Sequence, residues 1–184
     1  MKIKNENKWI MHVFFMTFFL AISISVLSEI SIKNLNLVYS IIILMIIVFT
    51  GIIFDIIGIA VTAANPKPFN AMASRKIHGA KKAVKLVKKA DRVSNFCNDV
   101  VGDIAGILSG AAIAGISFKM SQYDYSIFNI SLIAVILSGL TASFTVGGKA
   151  FGKQIAIRKW EKIVFYAALV LYLIEDRVKI KVMK

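Results

Sequence analysis

The sequence predicts an all-α fold: a polytopic membrane helix bundle of four transmembrane helices, with amphipathic juxtamembrane helices beside them. Three observations predict it. Of the 184 residues, 58% are hydrophobic and only 18% charged, against an apolar share of roughly 45–50% in soluble domains, and the mean hydropathy is +0.74. The apolar residues gather into runs long enough to cross about 30 Å of hydrocarbon at about 1.5 Å per residue. The basic residues, which bring the net charge to +13, sit between those runs rather than on the face of a soluble fold, which argues against nucleic acid as a partner.

The first run, Trp9 to Leu27, follows the basic stretch MKIKNENK. Ala21 and Ser23 would also suit a signal peptide cleaved near residue 28, but the run is long and Phe-rich for an h-region and is read as a retained span. The second run extends from Leu37 to Ala64 and stops at NPKPFN, which holds the only two prolines of the chain; proline cannot continue a helix and pushes the residue before it toward extended geometry. The third, Phe96 to Phe118, carries Asp99 and Asp103 but is rich in Gly, Ala and Ile, as expected of a span whose polar side faces protein. The fourth runs from Ile127 to about Val146. A shorter apolar run, Ile163 to Ile174, lies between RKWEK and EDRVKIKVMK; too short for a straight crossing, it is read as a juxtamembrane helix. The organisation is therefore 1–36, an N-terminal helix and outer loop; 37–160, the main membrane domain with a basic loop at 65–95; and 161–184, a juxtamembrane helix and basic tail.

Charge sets the orientation. Three Lys or Arg precede the first run, nine lie between Asn65 and Asn95 and nine follow Gly148, which leaves only Lys33 and Lys119 of the 23. The positive-inside rule then places both termini and the basic loop in the cytoplasm. Within that loop, Ile77, Ala80, Val84 and Val87 fall at helical spacing among lysines, the pattern of an amphipathic helix on an anionic leaflet, with a solvated connector that serves only as the topology signal as the alternative. His78 belongs to the same segment and is read as an interfacial side chain.

Small residues recur every fourth position: Gly102, Gly106, Gly110 and Ala114 in the third span, then Gly139, Ser143 and Gly147 in the fourth, with Gly148 and Gly152 one residue over. Such columns are the expected seams between membrane helices.

Two acids stand out against this background. Asp55 in FDIIGIAVTAANP and Asp103 both lie roughly 10–14 Å in from the cytoplasmic ends of their spans. An acid at the centre of a transmembrane helix costs about 2.5–3.5 kcal/mol on insertion scales, so each needs a partner or a function. Carboxylates on two helices at one depth, next to Gly58 and Gly102, suit a hard cation: the acids supply charge and backbone oxygens complete the shell. Asp99 and Asn98, one turn nearer the cytoplasm, suggest a polar entry path. The competing reading pairs the acids with Lys149 or Lys153 as structural ion pairs. Cys97 is the only cysteine and has no disulfide partner within the chain; no zinc cluster, P-loop or dinucleotide fingerprint is present, and the chain is not read as an enzyme.

These residues resemble a known family. FDIIGIAVTAAN is similar to the F-S-G-S-E-T-A-L-T-S-L-S stretch of the CNNM/CorC (CorB) transmembrane domain, with Phe54, Ala60 and Thr62 on its Phe, Ala and Thr. GAKKAVKLVKKADR resembles the cytoplasmic G-x-x-A-x-x-A-L-x-L segment, CNDVVGDI resembles C-x-L-L-L-G-N, and GKAFGK resembles G-E-x-x-P-K. The resemblance covers residues 50–160. It implies a dimeric transporter of Mg2+, and also of Co2+, in a bacterial plasma membrane, with the transported ion held by side-chain oxygens and helix carbonyls. Carried over by position, Asp55 stands for a metal-facing Ser, Asp103 for a metal-facing Asn beside Gly102, and Gly148 for a glycine whose backbone helps the site. Gly58 replaces a Glu, Lys149 a Glu and Gly152 a Pro. Nothing here resembles the cytoplasmic CBS pair usual downstream, so nucleotide-dependent regulation has no place in these residues and a separate cytoplasmic regulatory partner stays open. The alternative is a non-transporting scaffold that binds lipid or a partner, its acids paired to Lys149 and Lys153.

Overall fold

The computed structural model describes residues 36–121 and 127–178, with residue 11 and residues 14–19, 21–23 and 25–26 of the N-terminal run. Those N-terminal residues are helical; the rest of the expected first span lies outside the described residues. Seven further helices follow: α1 (Leu37–Ala63), α2 (Pro66–Ser74), α3 (Ala80–Lys88), α4 (Ala90–Asn95), α5 (Gly102–Ser121), α6 (Ile127–Arg158) and α7 (Trp160–Val178), with a π-helical turn at Phe96–Val101 leading into α5. There is no strand among the described residues, and the fold is all-α as expected.

Three stretches are long and apolar enough to cross a membrane: Leu37–Ala63, Ala90–Ser121 and Ile130–Arg158. The chain is an integral membrane protein. The third expected span begins earlier than Phe96 because α4 and the π-helical turn run into α5. Hydroxyls inside these helices donate back to carbonyls one turn away, Thr50 to Ile46 at 2.7 Å, Ser109 to Ala105 at 2.8 Å and Thr145 to Thr141 at 2.7 Å, so a side chain that would be costly in hydrocarbon is satisfied within its own helix.

The NPKPFN segment does more than stop α1. Asn65 caps α2 by accepting from Lys67 N at 2.9 Å, and Pro66 takes the first helical position, where its missing N–H costs nothing.

The chain divides into two compact units: Met1–Gly51 with Val100–Gly147, and Ile52–Asp99 with Gly148–Lys184. In the first, the N-terminal part of α1 and α5 bury Leu44, Val48, Ile104, Leu108, Ala112, Ile113 and Ile116. A methyl on Gly51 would lie 2.9 Å from Ala105 Cβ, so these helices meet closely where a side chain is missing. Lys119 donates to Ser40 Oγ at 3.5 Å. No residue of α6 from 130 to 147 is buried.

The second unit has a true core of Ala60, Val61, Phe69, Ala83, Leu86, Ala156, Val164 and Ala168. Phe69 of α2 is fully buried, edge-on to Trp160 of α7 with ring centroids 5.9 Å apart. α3 lies against both α2 and α7. This corrects the expected lipid-facing stripe. The buried residues of α3 are Ala80, Ala83 and Leu86, packed on protein, while Ile77 is 41% exposed. Gly79, at φ 81°, caps α3, so the helix starts after Ile77 and that residue never joins the stripe.

Candidate functional site

Asp55 lies on α1 in the second unit, and its side chain is only 13% exposed. Its partner is Lys149 of α6, whose Nζ stands 3.6 Å from Oδ1. That separation is an ion pair but too long for a hydrogen bond. The ammonium therefore neutralises the carboxylate without tying up its lone pairs. Glycines bring the helices close enough for this contact: a methyl on Gly148 would lie 2.5 Å from Ile52 Cδ1, and one on Gly152 2.5 Å from Ile56 Cγ1. Ile52 and Ile56 flank Asp55 on one helix as Gly148 and Gly152 flank Lys149 on the other. The two glycines that the sequence placed one residue off the fourth-span column thus seat α1 side chains.

Gly58, three residues after Asp55 and on the same face of α1, receives the side chain of Asn98 from the π-helical turn. A methyl on Gly58 would stand 2.1 Å from Asn98 Oδ1. Asn98 Nδ2 donates to Ser94 Oγ at 3.2 Å, but Oδ1 is buried and accepts no hydrogen bond from a described residue. A buried carbonyl oxygen without a donor costs about 1–3 kcal/mol. Asn98 is carried by a π-helical turn, a form that interrupts α-helices mostly at functional sites. The second unit thus places two oxygen-bearing side chains, Asp55 and Asn98, along about one turn of α1.

Asp103 and Gly102 belong to the first unit, at the start of α5; Gly102 is buried and Asp103 exposed. Asp99 is exposed. Lys153, the other cation expected to neutralise an acid, is exposed and forms no ion pair with a described acid. No group of three or more His, Cys, Asp or Glu comes together among the described residues. No family model matches the chain, and neither does a curated protein or a solved structure. The chemistry of the site must therefore be argued from these residues.

Sequence reasoning singled out Asp55, Lys149 and Gly58, since a carboxylate inside an apolar run announces itself and the loss of a side chain beside it is visible. Asn98 was legible only as a polar flank of Asp99, and Ser94 gave no signal. Their roles depend on a contact between Gly58 and a turn some forty residues later, which no local pattern encodes.

Proposed function

We propose that this chain is a divalent-cation transporter of the CNNM/CorC kind, carrying Mg2+ or Co2+, with Asp55 as the charged ligand and Lys149 as its occupant when no metal is bound. The observation that carries this reading is the Asp55–Lys149 contact: a mostly buried carboxylate in a membrane-crossing helix, balanced by an ammonium 3.6 Å away that makes no hydrogen bond to it. A divalent ion offers the carboxylate a stronger field and direct coordination. Asn98 supports the reading with an oxygen that has no donor among the described residues. Mg2+ sheds water reluctantly and commonly binds through one or two protein oxygens while keeping several waters, a demand that one carboxylate and one amide can meet. Both termini and the basic loop face the cytoplasm in this proposal, and the chain acts as a homodimer.

The same ion pair also favours a second reading, a scaffold in which Lys149 is a permanent structural partner of Asp55. Thermal unfolding of the purified chain with and without MgCl2 or CoCl2 separates the two, because a ligand that binds only the folded state raises its melting temperature. Transport predicts stabilisation of the parent by metal, a larger shift in Lys149→Met, where no ammonium competes, and none in Asp55→Asn, which also loses flux in proteoliposomes. The scaffold predicts no metal shift in any of them, and in Lys149→Met a lower melting temperature from the uncompensated acid. Asp103→Asn reports separately on the second carboxylate.

A further inference from the structure

A cavity of about 360 Å3 opens in the second unit between the turn ahead of α3 and the side of α7, lined by Lys76, Ile77, His78, Gly79, Lys81, Lys82 and Tyr172. That volume lies in the range of about 300–1,000 Å3 usual for small-molecule sites. Its lining is mostly apolar in surface and includes three lysines. Lys82 is bridged to Glu175 of α7, so its charge is largely spent in holding α3 to α7. Lys76 and Lys81 are exposed and form no ion pair with a described acid. The His78 ring lies against Tyr172 with centroids 5.7 Å apart and planes tilted by 37°, and Ile77 adds an aliphatic surface.

We propose that this cavity binds a phosphate group, with Lys76 and Lys81 as the charge partners, and Ile77, His78 and Tyr172 contacting the carbon skeleton that bears the phosphate. An ammonium pair matches a phosphate as point charges. The dipole of α3, whose N-cap Gly79 lines the cavity, adds to the field. The ligand is either an anionic lipid headgroup at the membrane surface or a free phosphate.

The test uses the purified full chain in a non-ionic detergent and follows its melting temperature with dioctanoyl phosphatidic acid, with inorganic phosphate and with dioctanoyl phosphatidylcholine. A rise with phosphatidic acid alone assigns a lipid headgroup, and a rise with inorganic phosphate as well assigns a free phosphate; either supports the site. Lys76→Gln/Lys81→Gln should weaken the interaction by about 25-fold, at roughly fivefold per lysine, and should itself melt with the parent because both residues are exposed. Lys159→Gln/Lys162→Gln removes the same charge from exposed positions outside the cavity and should keep the full response. The absence of a shift with either phosphate, or an equal loss in the two double variants, would overturn the proposal.

Discussion

Two glycines in the second unit do work that no other residue type could. Gly79 holds φ at 81°, a left-handed conformation that costs a residue with a Cβ roughly 1–2 kcal/mol, and its added methyl would lie 3.2 Å from Leu169 Cα. Both effects act against the folded state. Gly79→Ala should therefore lower stability by about 1–2 kcal/mol, read as a reduced melting temperature of the detergent-solubilised chain; an unchanged melting temperature would mean that the turn ahead of α3 has another conformation. Gly58 acts differently. Its backbone is helical, so alanine there costs nothing in φ, but the methyl would meet Asn98 Oδ1 at 2.1 Å and force the amide away. If Asp55 and Asn98 share a cation, Gly58→Ala should abolish stabilisation by Mg2+. Gly106→Ala, whose methyl meets nothing within 4 Å, should leave it intact. Equal metal responses in the two variants would remove Asn98 from the site.

At the scale of helices, only part of the glycine spacing corresponds to a contact among the described residues. Gly148 and Gly152 face α1 within the second unit, whereas Gly106 and Gly110 of α5 and Gly139 and Gly147 of α6 meet nothing within 4 Å. Those open columns lie on helices with exposed Ile107, Leu132, Val135 and Phe144, surfaces that suit lipid or another copy of the chain. In hydrocarbon the gain from association comes from close backbone approach, so small residues mark the preferred contact. The homodimer proposed here should accordingly dissociate in Gly110→Leu, seen as loss of the cross-linked dimer in membranes, while the melting temperature of the monomer in detergent stays near that of the parent. A dimer that persists in this variant would place the contact elsewhere. Helix existence was legible from the sequence because hydrophobic runs and prolines act locally: α1 ends within a residue of the expected Ala64. The face of α3 was legible in part: Ala80 is buried and Val84 and Val87 pack on the core, but Ile77 falls outside because Lys76 and Gly79 adopt positive φ and break the periodicity between Ile77 and Ala80. The core of Phe69, Leu86 and Val164 escaped, since it needs three helices, each short or flanked by charge, to be read together.

For the molecule as a whole, the proposed direction across the membrane rests on the distribution of charge and not on the packing of helices. The stretch from Pro66 to Asn95 and the segment after Gly148 carry 18 of the 23 lysines and arginines, each favouring an anionic leaflet by on the order of 1 kcal/mol near its surface. Exporting them would also oppose the bias by which cytoplasmic loops retain Lys and Arg. Two serines at opposite ends of the crossings test the consequence. Ser74 closes α2 and Ser121 closes α5, and both are exposed. Cys97, the only native thiol, is 5% exposed, so Cys97→Ala gives a silent background with only a small change in packing. In that background, a membrane-impermeant maleimide added to intact cells should modify Ser121→Cys and leave Ser74→Cys untouched until the membrane is permeabilised. The reverse pattern would invert the orientation, putting the Lys76–Lys81 cavity outside the cell and turning the cytoplasmic approach to Asp55 into an extracellular one. Labelling of both in intact cells would mean that the Ala90–Ser121 stretch does not cross, and a carboxylate-and-amide cation site within the bilayer would lose the helix that carries Asn98.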